Sequence, residues 1–436
     1  MIALAPVRQN WRRDFRLFWA AQGASVMGDQ IREFAVPLIA ITALNASAID
    51  LGVLGAAQWL PFLLFALPLG VVIDRRRRRR LLLASETGRA VITAALAVAA
   101  AAGLLGFPLL LVAVVALGFL TVVYEVGYQS AIPALVPREQ LGGANSRIQA
   151  TAAVGEIGGP GLGGLLLQLL GIPLTLAANA ASHLVSALAL GLIRTPEPLP
   201  TAEGERSFLG ELRDGARHVL RDRYLLANVG FSALYNPFAQ WITILLALYA
   251  VTALGLDAAQ LGIVFSAGAV GAVAGAAAGG RASRGSHVGR ILVLCATAEC
   301  AALLFIPLVD PAWNHTAAIG VLAGVMAVNG AGTALSNVLL ITVRQLRTPD
   351  SILGRVNATM RTVTYGTIPL GALAGGVVGD WLGARAGLAV GAVLCLGTVI
   401  WVALSPLRTI GRIAELEKPP ARGGFDQQIY CGDGEI

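Results

Sequence analysis

Lysine is nearly absent from this 436-residue chain: Lys418 is its only lysine, every other basic residue is arginine, and charged residues of both signs total 13%. A phosphate-cradling P-loop needs a lysine ahead of its Ser or Thr, so the chain carries no ATPase of its own, and an intramembrane lysine Schiff base is equally excluded. The four cysteines and four histidines show no Cys-x-x-Cys or His-x-x-x-His spacing, which leaves no metal site and no disulfide framework to argue. Gly-x-Ser-x-Gly and His-Glu-x-x-His are missing too, so no hydrolase pattern exists. Neither an enzyme nor a cofactor is expected.

What the chain does have is apolar length. It is 56% hydrophobic with a mean hydropathy of +0.72, too apolar to meet water over most of its surface. A bilayer core about 30 Å thick needs about 20 apolar residues per helix. Such runs recur at 16–43, 50–73, 81–103, 108–132, 146–170, 173–193, 224–252, 259–280, 289–309, 315–342, 357–381 and 385–404. The chain reads as an all-α polytopic membrane protein with twelve spans. Arg8, Arg12, Arg13 and Arg16 precede a long apolar run without a small-residue cleavage pattern, so the N-terminus is expected to be retained.

The arginines fall on one side of that topology. Arg75 to Arg80, Arg138, the segment 194–223, Arg281, Arg284, Arg290, Arg344, Arg347, Arg355, Arg408 and Arg412 lie with the N-terminal arm, and the opposite side has only Arg385. Cytoplasmic loops retain positive charge, so both termini are expected in the cytoplasm, with the lipid bilayer as partner. The net charge of +7 follows from this dispersal, and nucleic acid is not an expected partner.

The chain also repeats itself. Pro137, Leu141, Gly142, Asn145, Gly159, Gly163 and Gly164 match Pro349, Leu353, Gly354, Asn357, Gly371, Gly375 and Gly376 at one offset of about 212 residues, and Gly52 and Gly70 match Gly262 and Gly279 at nearly the same shift. Two parallel copies of a six-span unit, related by a pseudo-two-fold axis along the membrane normal, are expected. The expected division is an N-terminal six-helix bundle over 1–193, a linker over 194–223, a C-terminal bundle over 224–405 and a cytoplasmic tail over 406–436. Within the linker, Leu209, Leu212, Ala216, Val219 and Leu220 are expected on one face of an amphipathic helix. Residues after about 408 are expected to form a mostly disordered tail.

Two motifs stand out. Gly70-Val-Val-Ile-Asp74-Arg75 ends the second span; an acid at a helix C-terminus is unfavourable beside the dipole and needs a cation or another helix N-terminus. In the fifth span, Gly155-x-x-x-Gly159-Pro160-x-x-Gly163-Gly164 provides small residues four apart, which let helices approach closely, around a proline that bends one of them.

With these motifs the chain resembles the major facilitator superfamily. The first is similar to its loop 2–3 signature and the second to its antiporter motif, associated with exporters. Leu135-Val136-Pro137-x-Glu139-x-Leu141-x-x-Ala144-Asn145, with Gly28-Asp29 in the first span, resembles the drug- and siderophore-exporting branch that includes macrolide-efflux and enterobactin-exporter proteins. The resemblance covers roughly residues 12–405. The loop signature departs from the pattern at Arg77, where a glycine is usual, and its second copy, Gly279 to Arg284, has no acid. The resemblance implies a bacterial inner-membrane secondary transporter, a monomer, exporting a small amphipathic substrate by alternating access in exchange for protons. A dedicated siderophore or metabolite exporter and a non-transporting receptor of the same fold are the alternatives.

Ionisable residues at membrane depth are functional candidates by default. In the first span Asp29 and Glu33 share a face, with Arg32 three residues from Asp29. The fourth span holds Tyr124, Glu125, Tyr128 and Gln129, the third Glu86 and Arg89, the fifth Glu156, and the ninth Glu299, expected near a helix surface or interface. The resemblance places the first, fourth, seventh and tenth helices around a central cavity. Asp29, Glu33 and Glu125 would then face Tyr235, Asn236, Gln240 and Trp241, with Asn329 from the tenth. A buried acid short of a partner favours its neutral form, so Asp29 or Glu125 is expected to take the driving proton, with Glu33 and Glu156 as further candidates. The competing reading is a static lock, Arg32 with Glu125 or Arg89 with Glu86.

Overall fold

The computed structural model describes residues 11–74, 77–137, 140–194, 208–349, 352–412 and 416. In chain order the helices are α1 (Trp11–Leu44), α2 (Ala48–Asp74), α3 (Arg78–Ala101), α4 (Phe107–Leu135), α5 (Leu141–Gly191), α6 (Phe208–Arg221), α7 (Arg223–Thr252), α8 (Ala258–Ala282), α9 (Val288–Leu303), α10 (His315–Arg347), α11 (Leu353–Leu382) and α12 (Ala384–Leu404). No strand occurs among the described residues.

The helix α5 is two spans end to end. Gly171 has φ 71° and ψ −179°, a conformation open to glycine, and Pro173 two residues later cannot supply a backbone donor to the preceding turn. The helix therefore breaks into arms over 141–170 and 172–191. With α6 set aside, the twelve expected crossings are present. Nine helices among the described residues are long and apolar enough to span a membrane by composition alone. The helices α1 and α11 fall short because charged and polar residues interrupt them.

The repeat in the sequence is a repeat in packing. A Cβ on Gly163 would meet Phe34 of α1 at 3.1 Å, and one on its counterpart Gly375 would meet Trp241 of α7 at 2.5 Å. The next glycine of each pair turns to the other half. Gly164 abuts the carbonyl of Ala258 in α8, while Gly376 lies against Ala48 and Gly52 of α2, its virtual Cβ 2.8 Å from the Ala48 carbonyl. The reciprocal contacts match: Gly262 would meet the Pro160 carbonyl at 2.8 Å and Gly52 the Ala372 carbonyl at 2.6 Å. Two glycine seams, α5 on α8 and α2 on α11, thus join the halves, as the pseudo-two-fold requires. Both seams lie away from the arginine-rich loops.

Two expectations need correction. In α6, Val219 is buried against Leu225, Val356 and Met360, but Leu220 is 67% exposed. The helix packs on α11 through Gly215, where a Cβ would stand 2.6 Å from the Arg355 carbonyl, so its buried stripe is the narrow one through 215 and 219. The side chains of Leu209 and Leu212 lie outside the described residues. The start of the tail is also ordered: Val288 N–H donates to the Gly411 carbonyl at 3.0 Å and Gly289 N–H to that of Ile410 at 2.9 Å. Leu407, Ile410 and Leu416 are buried, because the chain supplies acceptors for the first amides of α9.

The seams make a stability prediction. Gly164→Val and Gly376→Val force a side chain onto backbone of the other half and should each cost about 1–3 kcal/mol. Gly142→Ala, where nothing lies within 4 Å of the new carbon, should unfold at the wild-type temperature in the same melting experiment.

Candidate functional site

Successive turns of α1 present Gln22, Ser25, Asp29 and Arg32 as one stripe, at helical spacings of three and four. Gly28 allows this: a Cβ there would collide with Ser182, and the Gly28 carbonyl accepts from Asn179 Nδ2. The second arm of α5 can therefore press against α1 and direct Asp29 towards α3.

There Asp29 meets Arg89, which is fully buried. Arg89 donates from one guanidinium nitrogen to Asp29 Oδ2 at 2.6 Å, and from the other to Glu86 Oε1 at 2.5 Å and to Ser25 Oγ at 3.3 Å. Its guanidinium also stands 4.5 Å over the Tyr124 ring, whose hydroxyl donates to Gln22 Oε1 at 2.9 Å. Arg32 bonds the other oxygen of Asp29 at 3.2 Å. His183 Nδ1 lies 3.1 Å from Glu86 Oε2; since Glu86 accepts, that nitrogen carries the hydrogen. Two arginines thus balance two acids. Buried charge is tolerated where pairing and hydrogen bonds replace water, and here α1, α3, α4 and α5 all contribute.

Beside this network runs a cavity. Its polar compartment is lined by Gln22, Asp29, Arg32, Glu33, Thr121, Glu125, Tyr128, Glu156 and the aromatic rings of Trp59, Phe62 and Tyr365. An apolar compartment continues between Phe34, Pro37, Leu38, Leu51, Leu54, Gln240, Ile244, Leu261 and Phe265. The two share Gln30, Glu33, Gln58 and Trp59. From Gln22 to Leu38 the path follows α1 for about 24 Å at 1.5 Å per residue. Rings from both halves meet across it: Trp59 stacks on Tyr365 at 5.5 Å, and Phe34 meets Phe265 edge-on at 5.9 Å.

The expected site residues separate into three groups. Asp29, Arg32, Arg89 and Tyr124 belong to the charged network, of which Asp29 and Arg32 also line the polar compartment. Glu33, Glu125, Glu156, Tyr128 and Gln240 line the cavity, the first accepting only from Gln58 Nε2 at 3.3 Å, and no ion pair reaches Glu33, Glu125 or Glu156 among the described residues. The third group lies elsewhere. Tyr235 and Asn329 bond each other at 2.9 Å inside the C-terminal half, Asn236 lines neither compartment, and Trp241 donates to the Gly387 carbonyl at 3.0 Å in the packing of α7 on α12. The Gln129 side chain lies outside the described residues, as do Arg75, the side chain of Asp74 and the surroundings of Gly70. Of the two expected locks, Arg89 with Glu86 is present, and Arg32 pairs with Asp29 rather than Glu125.

The cavity is lined by α1, α4 and α7 and by helices beyond those expected. The tenth contributes no lining residue; α2, α5, α8 and α11 do, because the glycine seams draw those four together at its walls. Trp59, Phe62 and Tyr365 were not singled out, and their only signal in the sequence was aromatics placed mid-span. In the antiporter-like motif, Gly155, Gly159 and Gly163 lie on Val26, Gln30 and Phe34 of α1, and Pro160 reaches the cavity wall.

Two helical halves enclosing a cavity on their shared axis define the class, a helical membrane transporter fold. Solved structures share it: the nucleoside transporter NupG matches with a TM-score of 0.68 at 15% identity, covering 90% of this chain and 99% of that one. A bacterial homologue of the human lysosomal transporter Spinster, inward-facing and unoccupied, matches at 0.65 and 14%, covering 92% and 97%. The transmembrane secretion effector family model matches residues 1–421, and the chain belongs to that family of the major facilitator superfamily, a multi-pass membrane protein of a transporter family. Among curated relatives, the enterobactin exporter EntS of Salmonella choleraesuis (strain SC-B67) is 29% identical over 252 residues, 56% of this chain and 57% of the relative. That of Citrobacter koseri is 28% identical over 300 residues, 67% and 66%. The chain thus spans little more than half the length of the first of these relatives.

Removing Arg89 tests the network. Arg89→Ala leaves the fully buried Glu86 without its arginine and Asp29 with Arg32 alone, and should cost about 3–5 kcal/mol, read as a lowered unfolding temperature of purified protein. Arg89→Lys should restore little of it, since an ammonium cannot match the planar fork that serves both acids.

Proposed function

We propose that the protein exports a small amphipathic compound across the bacterial cytoplasmic membrane by alternating access, in exchange for protons. The observation that carries this reading is the cavity between the halves, walled by both and bounded at its apolar end by the two glycine seams. With the arginine-rich end taken as cytoplasmic, both termini face the cytoplasm and the cavity belongs to the inward-open state. Rocking of the halves about the seams would expose the same cavity to the other side. The substrate would stack on Trp59, Phe62, Tyr128 and Tyr365 and extend its apolar part towards Phe34 and Phe265. Such a site accepts drug-like compounds and works within a monomer.

Glu33 and Glu125 are the proton carriers in this reading, with Glu156 at the rim. They face the cavity, and among the described residues no ion pair reaches them, so a proton or a substrate charge can. Asp29, held by two arginines, ties α1 to α3 instead. A dedicated siderophore exporter is the second reading, favoured by the relatives named as enterobactin exporters.

Inside-out vesicles with an acidified lumen, offered lipophilic cations, macrolides and siderophores, test this directly. Accumulation should collapse with a protonophore and be lost in Glu125→Gln or Glu33→Gln while the protein stays in the membrane. Normal accumulation in both variants would sink the carrier assignment, and accumulation indifferent to the protonophore would sink antiport. Uptake of siderophores alone favours the second reading. Folded protein that accumulates nothing favours a non-transporting receptor.

A further inference from the structure

The C-terminal half holds a buried acid that the cavity does not use. Glu299 sits near the middle of the apolar stretch Val288–Leu308 and is fully buried, and among the described residues no ion pair reaches its carboxylate. It is no helix-surface residue: α10 closes over it at Gly332, where a Cβ would stand 2.8 Å from Glu299 Cβ and 3.3 Å from Oε2. The corresponding helix of the other half, α3, also buries a glutamate. There Glu86 has Arg89, Ser25 and His183 upon it; among the described residues Glu299 has no cationic partner.

What surrounds Glu299 is a set of neutral polar groups. Asn329 Nδ2 donates to the Glu299 main-chain carbonyl at 3.1 Å and to the Tyr235 hydroxyl at 2.9 Å. The Tyr235 hydroxyl also shares a hydrogen bond with Thr333 Oγ1, 2.7 Å away, in which either oxygen can donate. Thr333 follows Gly332 on the turn that covers the carboxylate. The other titratable groups facing this pocket are Cys295 and Cys300 on α9, Tyr235 on α7 and Cys395 on α12, with none from α10. An ionised carboxylate without a counter-charge is not sustained at membrane depth. Among the described residues nothing supplies that charge, which leaves room for one positive charge from outside the chain.

We propose that Glu299 binds a monovalent cation, a proton or Na+, and forms an ion site in the C-terminal half distinct from the cavity carboxylates. Thr333, with the Tyr235 and Asn329 relay behind it, supplies the polar face of that site. The charge changes the packing of α9 on α10 without passing through the cavity.

Wild-type protein and Glu299→Gln in lipid nanodiscs distinguish the two cations. A bound proton gives an infrared carboxylic-acid band that is lost in Glu299→Gln and displaced in Glu299→Asp. Bound Na+ gives an unfolding temperature that rises with NaCl but not with choline chloride, and only in the wild type. Either result upholds the site. Identical infrared spectra and identical salt responses in wild type and Glu299→Gln overturn it. If Glu299→Gln fails to fold, the displaced band or altered Na+ response of Glu299→Asp decides in its place, and no change in either overturns the proposal. None of these readouts needs a substrate, so failure here leaves the export reading to its own vesicle experiment.

Discussion

Backbone-to-backbone approach across the glycine seams is the constraint on which the rest of the structure depends. In lipid there is no hydrophobic gain from helix pairing, so association relies on close van der Waals contact and interhelical polar bonds. Gly52, Gly164, Gly262 and Gly376 bring main-chain atoms of one half against the other. With larger residues there the halves would stand apart, and the walls of the cavity would separate. The aromatic pairs Trp59 with Tyr365 and Phe34 with Phe265 are within reach of each other because the seams beside them are so narrow.

Charge is handled differently in the two halves. The N-terminal half concentrates it around Arg89, whose five N–H donors can satisfy acids on two helices at once, and the result is a neutral cluster that fastens four elements. Against this cluster stand the acids that line the cavity, Glu33, Glu125 and Glu156, which make no ion pair among the described residues. The C-terminal half has mostly neutral hydrogen bonds, such as Tyr249 to the Val309 carbonyl and Asn228 to that of Leu340. Its clear ion pair near a helix end, Arg347 with Asp222 at 2.5 Å, caps α7 and holds it to α10.

Much of the fold was legible in the sequence because a membrane helix must satisfy its backbone internally, and apolar length alone then counts the spans. The offset of the repeat was visible because glycine is the one residue that backbone contact tolerates, so Gly164 and Gly376 mark both chain and space. The site was less legible. Arg32 with Asp29 could be read from spacing on one helix, whereas Arg89 with Asp29 joins residues 60 positions apart, and local sequence contains no trace of that meeting. Trp241 and Tyr235 looked like cavity residues by helix number, but α7 turns them towards α12 and α10. Which face of a helix a polar residue occupies depends on neighbours that periodicity does not name.

The short stretch after α12 has a mechanical meaning. Its 3-10 turn, Pro406–Thr409, and the bonds from Val288 and Gly289 to Gly411 and Ile410 moor the chain end to the base of α9. Residues 406–411 are therefore cargo of one half only. A fluorophore attached at Thr409 would travel as part of the C-terminal body, and its separation from a second dye on α3 would report the angle between the halves.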